Sequence, residues 1–176
     1  MLKIVIVALA SAVASLVNIP VGDSGFRISL GIVVMVAAII ALKIRPVIWT
    51  SFITGMAVCL MRILVASLGG TMTPALAGNF LLEVFFYLSY GLFYLLQVVR
   101  NRAIYKIPLV VSLVICDAGA NAVEYFLRTL FASEVWQNTS LTAILLAAFV
   151  RSVVIVLFVW AYEMWFDKAS ARKSRG

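Results

Sequence analysis

Asp117, Asn121, Glu124 and Arg128 lie inside an otherwise apolar run, Ile107 to Phe131. At about 100° per residue the four fall within an arc of about 60°, so a helix here carries one polar stripe on a lipid-compatible body. Ionisable groups at that depth cost about 2.5–3.5 kcal/mol each on insertion scales and persist where they face a bundle interior or a cavity. The stripe therefore points inward. Two chemistries compete for it. One is structural, an i,i+4 ion pair between Glu124 and Arg128 plus an Asp117–Asn121 hydrogen bond that pins helices together. The other is a ligand or ion site built on the same face.

A second polar face runs through Asn79 to Val99, where Asn79, Glu83, Tyr87, Tyr90, Tyr94 and Gln97 share an arc of about 80°. Arg62 and Arg151 stand inside two further apolar runs. Arginine recognises a carboxylate or phosphate through paired hydrogen bonds, and Tyr87 and Tyr90 offer flat faces for a ring system. Ordinary packing is the simpler explanation for any single tyrosine. A direct Arg62–Glu83 ion pair is the simpler explanation for those two charges.

Other chemistries find no support. The chain has no histidine, which removes imidazole metal sites, Ser-His triads and His-ligated haem. Cys59 and Cys116 fall mid-span, without a CxxC pattern, and read as small buried hydrophobes. No GxxxxGK[ST] loop is present. Asp117 and Glu124 would be about 10 Å apart along a helix, too far for paired carboxylate catalysis. The expectation is a non-enzyme with no catalytic residue, no metal ligand and no cofactor.

The elements that position these residues follow from composition. A chain of 176 residues that is 65% hydrophobic and 12% charged, with mean hydropathy +1.14, is an integral membrane protein, since soluble domains carry about 25% charged residues. The pattern predicts an all-α membrane protein, a single domain over 1–176 with six transmembrane helices at 4–19, 28–42, 47–68, 79–99, 107–131 and 139–166. The first run holds Ala8-xxx-Ala12 and Ala10-xxx-Ala14, spacings that let another helix approach closely. Its competing reading is a signal peptide with a cleavage-like Ala12-Val13-Ala14. Asn18 to Gly25, with Pro20 and Gly22, reads as a loop.

The net charge of +7 sits at the ends of the apolar runs, which favours membrane topology over nucleic acid as its explanation. With six alternating spans, one side collects Lys3, Lys43, Arg45, Arg100, Arg102, Lys106, Lys168, Arg172, Lys173 and Arg175, and the other only Arg27. Both termini are then cytoplasmic, in a multi-pass protein of the cell membrane. On this topology Arg62, Glu83, Glu124, Arg128 and Arg151 converge on the outer half and Asp117 lies deeper. That arrangement predicts an outward-facing pocket lined by helices three to six, with the Asn18 to Gly25 loop as lid and Trp136 and Asn138 beside it. Arg62, Arg128 and Arg151 against Glu83 and Glu124 point to an acidic or zwitterionic ligand.

Six short helices, cytoplasmic termini, this length and an Ala-xxx-Ala first helix together resemble the S components, the substrate-binding membrane subunits of energy-coupling factor vitamin importers. The resemblance implies an S-component-like bundle whose Ala8, Ala10, Ala12 and Ala14 strip docks on a transmembrane coupling subunit. It also implies a vitamin-like ligand near the outer face, under the first loop and among helices four to six, and ATPase subunits in trans. The strings FRISLG, Phe26 to Gly31, and DAGANAVEYFLR, Asp117 to Arg128, are similar to those of membrane sensor regions that precede bacterial histidine-kinase modules. Only ten residues follow Phe166, too few for a kinase, so the alternatives are a stand-alone binding subunit and an excised or orphan ligand-sensing domain.

Overall fold

In a hydrocarbon setting each backbone N–H and C=O needs a partner within its own segment, so long apolar runs become helices. The computed structural model describes residues 1–20, 27–101, 107–131 and 141–173. Its helices are α1 (Leu2–Ala14), α2 (Leu30–Ala41), α3 (Val47–Leu68), α4 (Pro74–Tyr94), α5 (Leu109–Phe131) and α6 (Leu141–Lys173). An antiparallel hairpin of β1 (Asn18–Pro20) and β2 (Arg27–Ser29) joins α1 to α2, with Asn18 opposite Ser29. A π-helical turn, Leu95–Asn101, continues α4. Trp136 and Asn138 fall outside the described residues, as does most of the expected lid.

Four helical stretches are long and apolar enough to cross a membrane: α3, α4 with its extension to Arg100, α5, and α6 as far as Phe166. Within each spanning window only 33–39% of residues are buried inside the protein. The remainder includes exposed Leu60, Leu64, Phe126, Leu146 and Phe158, an apolar surface too extensive for water. α1 and α2 have 13 and 12 residues. At 1.5 Å per residue they reach about 20 and 18 Å, less than a hydrocarbon core of about 30 Å.

The boundaries have local causes. The expected span 4–19 ends as a helix at Ala14, because the Ser15 hydroxyl donates to Ala12 O (2.7 Å) and the chain beyond extends into β1. Residues 28–29 go to β2, and Ser29 then caps α2 by accepting the Gly31 N–H at 3.3 Å. α4 begins five residues before the expected Asn79. The Thr73 side chain accepts the Leu76 N–H (3.2 Å) with Pro74 in the first turn, so the chain is helical from Pro74 and only residues 71–73 of TMTPALAG precede the helix as irregular chain.

α3 packs against α1 and α4, α5 against α4 and α6, and α2 against α1 and α6. Ile32, Met35 and Val36 of α2 are fully buried, as expected of a helix that is apolar all round. Close approach is made by small residues. A Cβ on Gly55 of α3 would stand 3.1 Å from Tyr87 Cβ and 3.2 Å from Val84 of α4, and one on Gly91 of α4 would stand 2.6 Å from Ser51 Cβ of α3. Ser51-xxx-Gly55 is thus the small-residue strip that joins α3 to α4. The alanines of α1 divide: Ala8 and Ala12 are buried inside the chain, Ala14 is half-buried and Ala10 exposed. Ala8 and Ala12 therefore pack inside the chain and present no open face to a second protein.

Replacing Gly91 with Leu forces α3 and α4 apart. Overpacking of this kind costs about 1–3 kcal/mol, so Gly91→Leu is expected to lower the unfolding midpoint in detergent well below that of Gly78→Leu, where a Cβ meets nothing within 4 Å. Equal midpoints for the two variants would contradict the packing described.

A polar cavity at one end of the bundle

The four polar positions of α5 all face inward: Asp117, Asn121, Glu124 and Arg128 are 0, 1, 7 and 7% exposed. A charge buried to that degree needs a partner, and each finds one. Glu124 Oε1 accepts from Arg128 Nε (2.8 Å) and Nη2 (2.7 Å) on the same face of the helix. Arg128 also donates to the Asn79 carbonyl of α4 at 3.5 Å. Two turns deeper, Asp117 Oδ1 accepts from Asn121 Nδ2 and from Arg151 Nη2 of α6, both at 2.6 Å. The Arg151 guanidinium also lies 5.5 Å from the centroid of the Phe86 ring, on α4, within cation–π range.

Arg62 makes the third pair, with Glu83 of α4. Its other nitrogen, Nη2, reaches the hairpin and its approach, donating to the Ser15 carbonyl (3.0 Å), Asn18 Oδ1 (3.0 Å) and Ser29 Oγ (3.3 Å). One guanidinium therefore ties the end of α1, both hairpin strands, α3 and α4 together. Its planar fork of five donors suits the task, which a lysine ammonium with three would not fill.

The three pairs gather around one open cavity of about 690 Å³. Arg62, Glu83, Glu124, Arg128, Arg151 and Asn121 all contribute to its wall, with Tyr87, Phe80 and Phe86 as aromatic surface and Asn18, Ser29, Thr71 and Asn79 as further polar lining. It opens where α1, α3 and α5 end and α2 and α4 begin, away from exposed Lys3, Lys43, Arg45 and Arg100. The described groups around it carry three positive and three negative charges, Asp117 standing behind Arg151, so the cavity as a whole is close to neutral.

Two expected site residues are placed differently. Asp117 is fully buried and does not line the cavity; it is the counter-ion that holds Arg151. Tyr90 is likewise fully enclosed, its ring 6.3 Å from that of Phe86 in an edge-to-face contact, and offers no face to a ligand. The aromatic surface comes instead from Tyr87 and Phe86, whose centroids are 5.8 Å apart at right angles. Ser29, Thr71, Phe80 and Phe86 were not among the expected site residues. Both Ser29 and Phe86 had a signal: Ser29 lies inside FRISLG, and Phe86, seven residues after Asn79, falls about 20° from the polar face of α4, whereas Phe85 points away from it and is exposed.

The fold and site thus define a helical, membrane-compatible bundle with an ion-paired cavity at one end. Among the described residues no group of three or more His, Cys, Asp or Glu side chains converges as a metal site would require. Comparison of the chain with protein families, curated proteins and solved structures gave no match.

Removing one member of a buried pair leaves the other charge uncompensated, at a cost of about 3–5 kcal/mol, whereas replacing both with apolar groups is close to neutral. Arg151→Met is therefore expected to destabilise strongly, and the double variant Asp117→Leu/Arg151→Met to recover most of the loss. Unfolding midpoints in detergent measure both, and strictly additive losses would show that the pair does not act as a unit.

Proposed function

We propose that this chain is the membrane-embedded small-molecule-binding subunit of an energy-coupling-factor type importer, with six membrane segments and both termini cytoplasmic. The observation that carries the reading is the convergence of three ion pairs from four helices on one open cavity of about 690 Å³, within the usual range for small-molecule sites of about 300–1,000 Å³. Gluing helices together does not require that polar lining to surround a void.

Orientation follows from the basic residues, which mark the end opposite the cavity as cytoplasmic. α1 and α2 form an antiparallel pair, so both termini share a side whether that pair crosses the bilayer or dips in and returns. A near-neutral cavity in a low-dielectric setting favours a ligand without net charge. A zwitterion, or a neutral polar molecule with one ring, fits: Arg128 and Arg151 suit its acceptors, Glu83 and Glu124 its donors, and Phe86 and Tyr87 its ring. Import requires a coupling subunit and ATPases in trans, and of the expected docking strip Ala10 is left open, beside exposed Val13 on the outward face of α1.

A ligand-sensing membrane domain of the histidine-kinase type is the second reading. It is favoured by α6, a continuous helix of 33 residues that runs on through Lys173. At 1.5 Å per residue it is about 50 Å long, more than a bilayer core needs, which suits passing a signal from Arg151 to the far side.

Thermal-shift screening of the purified protein against vitamins and amino acids is expected to yield a neutral or zwitterionic hit. Glu124→Gln and Arg128→Ala should each weaken it at least tenfold, about 1.4 kcal/mol; unchanged affinity in both would place the site elsewhere. Failure of a tagged chain to retain a coupling subunit, together with full uptake by Ala10→Leu, would reject the importer in favour of the sensor.

A further inference from the structure

A second recess lies at the opposite, basic end of the bundle. It has a volume of about 470 Å³ and is lined by Ile39, Ile40, Lys43, Ile44, Arg45, Val47, Tyr94 and Val99. Six of these are apolar or aromatic, two are cationic, and none is acidic. It lies between the end of α2, the start of α3 and the π-helical extension of α4, on which Val99 is carried. Such π turns recur at functional sites.

The turn that builds its rim is a Schellman motif. Ile44 N–H donates to the Ile39 carbonyl at 3.0 Å, and Lys43 N–H to the Ile40 carbonyl at 3.3 Å. Ile39 and Ile44, the apolar partners that accompany this motif, both line the recess. The position that must turn left-handed is Lys43, at φ 52°, the one described non-glycine residue with positive φ. Glycine adopts that conformation freely, while a residue with a Cβ is strained there by about 1–2 kcal/mol. The strained position thus adds an exposed cation to the lining of a largely apolar recess, two residues from exposed Arg45, which lines it too. Exposed Trp49 stands one helical turn further on, the side chain that membrane–water boundaries favour.

We propose that this recess is a binding site for an anionic phospholipid, with the headgroup phosphate held by Lys43 and Arg45 and an acyl chain seated against Ile39, Ile44, Val47, Tyr94 and Val99. Charge complementarity selects the occupant. Two cations with no facing carboxylate among the described lining residues attract a phosphate at the membrane surface. The apolar recess below them distinguishes a lipid from a soluble anion. The inference does not rest on the proposed transport function and stands or falls separately.

The test uses the full chain purified in a neutral detergent. Added phosphatidylglycerol is expected to raise Tm by about 3 °C or more relative to phosphatidylcholine, and native mass spectrometry to show one retained anionic phospholipid. Lys43→Gly relieves the backbone strain, so it should fold at least as stably as the parent in detergent alone, yet lose most of the lipid-dependent shift. Arg45→Gln should lose it too, whereas Arg100→Gln, at the same end but outside the recess, should keep it. An equal shift with phosphatidylcholine or with inorganic phosphate, or a full phosphatidylglycerol shift in Lys43→Gly, would overturn the proposal. Loss of partner retention in Lys43→Gly with its lipid response intact would do the same, and would assign the recess to a protein contact.

Discussion

Charge placed inside an apolar bundle has to be matched, and this obligation organises the polar half of the molecule. Each ion removed from water loses several kcal/mol of solvation, returned only by a well-placed counter-ion and further hydrogen bonds. The three pairs meet that condition by bridging elements. Arg62–Glu83 joins α3 to α4, Arg151–Asp117 joins α6 to α5, and the Glu124–Arg128 pair on α5 reaches the Asn79 carbonyl of α4. Helices three to six are thus linked side to side by charge, and the hairpin is attached to them through the same Arg62.

The apolar parts hold together by a different means. Lipid tails are as apolar as leucine, so helices gain little from hydrophobic exclusion and depend on close contact and buried hydrogen bonds. Ser51, Gly55 and Gly91 supply that contact between α3 and α4, and Gly119 does so where α5 meets Phe93. The bundle is therefore tied by small side chains along the helices and by arginines around the cavity. A void survives at the polar end because long charged side chains span it without filling it.

Much of the architecture was legible in the residue pattern because periodicity is a local property. The apolar run 47–68 is α3, and the inward stripe of α5 follows from four spacings. Helix ends depart from the apolar runs, because hydropathy is silent there and capping decides. Ser15 and Ser29 shortened the first two helices, and Thr73 with Pro74 started α4 early. The alanine spacing of α1 marks a close-packing strip without saying which helix it meets. Half of it is buried within the chain, a distinction no one-dimensional pattern contains.

Taken alone, the amino-acid sequence determined that the chain is helical and suited to a membrane, that its charges turn inward, and that its basic residues cluster toward one end. Those properties depend on composition and on spacing along single helices. Tertiary structure alone decided who partners whom: that Arg151 takes Asp117, that Arg62 is shared between Glu83 and the hairpin, and that Tyr90 is sealed while Phe86 lines the cavity. The physical reason is that these contacts join residues 21 to 47 positions apart. Their geometry depends on how helices rotate against one another, which each helix by itself leaves open.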